Sequence, residues 1–239
     1  NLTRWMTADP LCEDYYSYSL QNYCLNNPVR LIDPTGTHPI YGIDGRFLGT
    51  DDMGISGPAM IMDEMFFTQG MPYSSVLCHL YDGYLTPEAQ LRFDLHFRTL
   101  FTRPDYDGYL TMKEANEWYR KGNGEPLFVD IHKLDLSVFY SMGDEFVGQT
   151  YPFNLLRFPS CLKEGFVFGS IVFKRLPEDK VQILPDTYDF DIRPWQSVSE
   201  AARNIETIIG HIVAGKGQSY QINFYGTAQL RKMNNRIGK

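Results

Sequence analysis

The sequence holds no apolar run approaching the ~18 residues that a membrane-spanning helix needs, so nothing in it reads as a span. It also lacks a basic segment leading into a short apolar one, the pattern of a cleaved export signal. The chain opens on Asn1, inside a patterned segment, so it is expected to be a piece of a longer protein, and the missing signal says nothing about the parent. Positive charge is scarce: 22 Lys and Arg stand against 29 Asp and Glu, a formal net charge of −7. A broad phosphate-binding surface wants clustered cations, so this balance argues against one, while a nuclease would need only a small local patch. Cysteine is sparse too. Cys12, Cys24, Cys78 and Cys161 form no CxxC pair and no zinc-like spacing with histidine. They read as packed thiols, with a Cys12–Cys24 bridge left open. No GxSxG, HExxH or zinc-deaminase pattern occurs. Gly215-Lys216-Gly217 is too short for a phosphate loop and reads as a helix stop. Cys78 and His79 are adjacent in sequence, which does not bring thiol and imidazole face to face, so a Cys/His hydrolase involving Cys161 is not supported.

What is present is length and aromatic content. A chain of 239 residues is one or two domains and can bury a sizeable core. Its 16 Tyr and 16 Phe suit a sheet-rich or mixed fold.

Residues 4–36 alternate turn chemistry with aromatic pieces. Asp9-Pro10, Asn27-Pro28 and Asp33-Pro34 each start a turn, and Gly36 can close the last with a positive φ. Tyr15, Tyr16, Tyr18, Tyr23 and Leu25 lie between them. Taken in order, Arg4-Trp5 with Asp9-Pro10, then Asn22-Tyr23-Cys24 with Asn26-Asn27-Pro28, then Asp33-Pro34-Thr35-Gly36, this segment closely resembles the end of the Rhs repeat-associated core. The resemblance implies that residues 1–36 close a large β-repeat shell and that residues 37–239 are a variable C-terminal tip domain. It implies a secreted or cell-surface bacterial protein, partnered by the rest of the Rhs shell. Many such tips are toxins used between cells, neutralised in the producer by an immunity protein. The rival within the same resemblance is a non-enzymatic tip that binds partners or helps package the shell. Some relatives cleave themselves after this motif, and Asp33 is the position that would carry that chemistry. Here Gly36 is followed by Thr37-His38-Pro39 rather than an apolar residue, so Asp33 is read as a turn cap.

Within the tip, residues 40–50 predict a hairpin turning at Asp44-Gly45. Asp51 and Asp52 follow and, as neighbours on an extended chain, would point to opposite faces, so they read as a solvated turn. Thr86-Pro87-Glu88 opens a helix toward Phe101. Residues 103–114 resemble a calcium-binding EF-hand loop, with Gly108 at the sharp turn. Asp105, Asp107, Tyr109 through its carbonyl, Thr111 and Glu114 would be the ligands. Arg103 stands where the first aspartate belongs, and a guanidinium cannot ligate calcium. Thr111 and Glu114 also form a capping box opening a helix over Met112–Lys121, which stops at Gly122-Asn123-Gly124.

After a strand at Leu127–Ile131, the last third reads as strands at Phe166–Lys174, Val181–Leu184 and from Tyr188 onward. Asp189 and Asp191 share the polar face of that last strand and could hold a divalent metal, although alternating polar residues on a half-exposed strand are ordinary. Ser197 and Glu200 cap an amphipathic helix running to Val213. His211 near its C-terminal end has a structural reason to be there. Tyr220, Ile222 and Phe224 alternate in a final strand. The expected fold is α+β: an antiparallel sheet packed against a long C-terminal amphipathic helix, with sheet and helix within residues 165–226. An EF-hand-like helix–loop–helix occupies the helical middle, residues 86–121.

Overall fold

The computed structural model describes residues 38–141, 143–189 and 216–231. The Rhs-like segment, Cys12, Cys24, Asp33, Asp191, His211 and the helix expected over residues 197–213 lie outside the described residues. The chain divides into two compact units, Asn1–Phe101 and Thr102–Lys239.

In the first unit, β1 (Pro39–Gly42) and β2 (Phe47–Thr50) form the expected hairpin, and β3 (Met60–Met62) adds on the other side of β1, parallel to it. Gly45 turns the hairpin at φ 78°, and a Cβ there would stand 1.9 Å from the Ala89 carbonyl oxygen, so only glycine fits. A short helix α1 (Tyr73–Leu77) follows, then α2 (Pro87–Leu100), capped by the Thr86 hydroxyl accepting from the Ala89 N–H. α2 buries Ala89, Phe93 and Leu100. Tyr41, fully buried, meets Phe93 edge-on at 4.7 Å and hydrogen-bonds His96 Nδ1 at 2.9 Å. The Asp51-Asp52 turn is not solvated as expected. Asp51 is fully buried, with one oxygen 2.6 Å from His38 Nδ1 and the other accepting the N–H groups of Met53 and Gly54. A buried carboxylate needs such partners, and His38 supplies one that local pattern could not announce.

In the second unit, α3 (Met112–Lys121) carries the full capping box between Thr111 and Glu114. The strand β4 (Leu127–Asp130) follows, then β5 (Thr150–Asn154), α4 (Leu162–Phe168), β6 (Ser170–Arg175), β7 (Lys180–Ile183), β8 (Asp186–Tyr188), β9 (Tyr220–Tyr225) and β10 (Ala228–Gln229). One sheet runs β10-β7-β6-β5, all antiparallel. The other runs β4-β9-β8, with β4 parallel and β8 antiparallel to β9. The core between them includes Leu127, Val129, Ile171, Phe173, Val181, Ile183, Ile222 and Phe224. Each such fully buried side chain contributes about 1.5–3 kcal/mol of burial.

This corrects the expected fold. The described residues form α+β structure in three sheets rather than one antiparallel sheet, and two of the three include a parallel pair. No long C-terminal helix is seen among the described residues; α3 and α4 supply helical side chains to the core of this unit. The cause is non-local: β4, from the middle of the chain, pairs with β9 nearly a hundred residues on, and periodicity within a window carries no information about that partner. The strand expected over Phe166–Lys174 also begins later. Glu164, Val167 and Phe168 are buried at helical spacing in α4, and Gly169, at φ 58°, turns the chain into β6.

Candidate functional site

The loop that resembles an EF-hand is organised around an internal cation. Asp105 is fully buried and accepts a two-pronged contact from Arg103, Nε to Oδ1 and Nη2 to Oδ2, both at 3.0 Å. Its Oδ2 also accepts the Phe128 N–H at 2.8 Å. Arg103 reaches Glu125 and the Pro126 carbonyl as well, with its guanidinium 4.8 Å from the Trp118 ring centre. The residue that departs from the calcium pattern thus supplies the positive charge that Asp105 needs once buried. The other expected ligands have local work. Asp107 accepts from the Tyr109 N–H at 2.9 Å, an ordinary turn, and Glu114 Oε2 accepts from the Thr111 N–H and hydroxyl at 2.9 and 2.6 Å. The Tyr109 phenol is raised above its usual pKa by burial and, further, by the charges of Glu164 and Glu114. Among the described residues no group of three or more His, Cys, Asp or Glu side chains is placed to hold a metal. Calcium therefore rests on the spacing of the loop alone.

A different place carries perturbed chemistry. β8 is a three-residue edge strand whose pairing sets Asp186 opposite Ile222 and Tyr188 opposite Tyr220. Side chains alternate along a strand, so Asp186 shares the core-facing side with Tyr188. Tyr188 is buried, donates to Asn116 Oδ1 on α3 at 2.9 Å, and stacks on Tyr220 at 5.1 Å. Tyr220 in turn donates to the Ala115 carbonyl at 3.0 Å. Burial pushes the Tyr188 phenol up to about 12 and raises that of Tyr220 as well, so both hydroxyls stay protonated donors and pin β8 and β9 to α3. Asp186, half-buried on this scaffold, has its carboxyl pushed up to about 6. Burial is the main cause; the Thr187 N–H works against it, and the negative charge of exposed Asp189 adds to it.

A carboxyl raised toward neutrality by burial is suited to general acid–base work. Asp191, which the sequence set beside Asp189, lies outside the described residues; among those described, the charge of Asp189 acts on Asp186. The signal was present: carrying the Tyr188 alternation back two residues puts Asp186 on the apolar face, where a carboxylate must be desolvated. Elsewhere, His132 Nδ1 lies 2.9 Å from Asp130 Oδ1 with the ring largely in solvent. Cys78 is exposed, and its neighbour His79 has Nδ1 engaged by the Ser75 carbonyl oxygen at 2.9 Å. Cys161 is buried, its thiol raised above the usual pKa by burial and donating to the Asp135 carbonyl. These groups give a thiol nucleophile no base.

No family model matches the chain, and no curated protein matches it. Several solved structures show a slight likeness to it. PaeM, a colicin M-like bacteriocin produced by Pseudomonas aeruginosa, is 12% identical with a TM-score of 0.34, over 62% of this chain and 72% of that one. Truncated syringacin M, a bacteriocin from Pseudomonas syringae pv. tomato, is 15% identical with a TM-score of 0.31, over 50% of this chain and 57% of that one. Pectocin M2 is 16% identical with a TM-score of 0.30, over 56% of this chain and 61% of that one. These scores are too low to carry a role across. No helix among the described residues is long and apolar enough to cross a membrane.

Proposed function

We propose that this chain is the C-terminal end of a secreted Rhs-family protein and that its tip is a toxin-like effector in competition between bacterial cells. The observation that carries this is the ordered motif of residues 4–36, ending in Asp33-Pro34-Thr35-Gly36, with some two hundred residues of distinct sequence behind it. Its partners are then the rest of the Rhs shell and an immunity protein in the producing cell. Asp186 is the group in the described tip best suited to proton transfer. What supports this is its place on the core-facing side of β8 with Tyr188, where burial pushes the carboxyl up to about 6.

The test is induced production of the chain in bacteria, once in the cytoplasm and once behind an added export signal. Growth arrest in either compartment supports the effector and says where its target lies. Normal growth in both, with soluble folded protein recovered, overturns it in favour of a tip that binds partners or packages the shell.

A further inference from the structure

The first unit has an unusual surface that the proposed chemistry does not use. Among the described residues, ten of the fourteen large apolar side chains left exposed belong to this unit. Several are brought together by one crossing of the chain. A bridge pairs Met62 with Leu80, the Tyr81 N–H donates to the Ile61 carbonyl at 2.8 Å, and Phe66 stacks on His79 at 4.7 Å. That crossing sets Met65 and Phe66, 76% and 46% exposed, beside Leu77 and Tyr81, with Tyr84 98% exposed just beyond. Asp63 fixes the Met65–Phe66 turn by accepting the Met65 N–H at 3.0 Å, so these side chains are presented by an ordered segment.

The charge around them is mostly negative, with Arg46 the cation nearby, its Nη2 3.8 Å from Glu64 Oε2. Residues 47–91 contain six carboxylates and no lysine or arginine. Glu64 and Asp82, both exposed, flank the apolar side chains. Exposed apolar patches of this kind mark interaction sites, and methionine and aromatic side chains adapt to varied apolar partners. The excess of carboxylates over cations opposes an anionic bilayer, which attracts basic segments. It favours a partner that is basic around an apolar stripe. We propose that this face receives a basic amphipathic helix of a partner protein, its apolar stripe on Met65, Phe66, Leu77 and Tyr81 and its cations on Glu64 and Asp82. This holds whether or not the Asp186 site is catalytic.

The experiment uses the whole chain and a labelled Leu/Lys amphipathic helical peptide, followed by fluorescence anisotropy, with a scrambled peptide of the same composition beside it. The helical peptide is expected to bind and the scrambled one not. Binding should weaken about tenfold in Met65→Ser/Phe66→Ser, as for loss of anchor side chains. It should weaken in Glu64→Gln/Asp82→Asn and with added salt, and stay unchanged in Leu162→Ser/Phe166→Ser, which alters exposed apolar residues of the second unit. Tyr84→Ser, at a position nearly free of contacts, gives a further reading should the double variant misfold. Equal binding of the scrambled peptide, indifference to the first-unit variants, or no binding by folded wild type overturns the proposal. So does uptake by phosphatidylglycerol vesicles in place of the peptide, or self-association of the chain that Phe66→Ser dissolves.

Discussion

Replacing Asp186 with asparagine is expected to strengthen the fold while ending the activity. The folded carboxyl titrates at about 6 against an ordinary value of 3.8, so the folded chain holds this proton more tightly than the unfolded one. The stability tied to that proton is fully present below pH 3.8 and is lost as pH rises through 6. Above pH 7 the ionised, half-buried carboxylate penalises the fold by about 3 kcal/mol, at 1.36 kcal/mol for each pK. Asparagine cannot ionise but still buries an amide, which returns part of the gain, leaving about 1–2 kcal/mol. At roughly 2–4 °C per kcal/mol for a chain of this size, the midpoint at pH 8 should rise by about 2–8 °C. Thermal unfolding of both proteins across pH 4 to 8 measures it, and urea unfolding gives the same difference as a free energy. The advantage of the variant should be largest at pH 8 and vanish toward pH 4. A variant less stable than wild type at pH 8, or a difference that ignores pH, would refute the reasoning about desolvation. If Asp186 transfers the proton in the reaction, activity should fall by about 10²–10⁴ in the same variant.

Arg103→Leu should be among the most damaging changes in the second unit. It strands the fully buried Asp105 without its counter-ion, at about 3–5 kcal/mol in urea denaturation. Thr111→Ala removes the cap of α3 and should cost about 1 kcal/mol, read as a lower urea midpoint with unchanged slope. Pulse alkylation at pH 7 followed by peptide mapping should label Cys78 quickly and leave Cys161 unreacted until the chain unfolds, because the first thiol is exposed and the second is buried and raised above its usual pKa.

Local signals in the sequence were legible wherever chemistry is decided within a few residues. Asp44-Gly45 turned a hairpin, Thr86-Pro87 began α2, and Thr111 with Glu114 opened α3 at Met112. Pairing across the chain was not legible, because β4 finds its partner in β9 and β6 begins only after α4 has used Phe166–Phe168. The candidate site fell between these cases. The alternation of Tyr188 was visible, and so was Asp186 two residues before it. Its burial, which raises the carboxyl, depends on α3 and β9 closing over one edge strand. Arg103 shows the reverse: it looks like a defect in a calcium loop until Asp105 is seen buried beneath it.

The most direct test of the account is growth of bacteria producing the wild-type chain or its Asp186→Asn variant, at equal soluble levels and in the same compartment. Wild type is expected to arrest growth, and the variant to leave it normal. Arrest by both would place the toxic chemistry elsewhere in the chain, and growth with both would remove the effector itself.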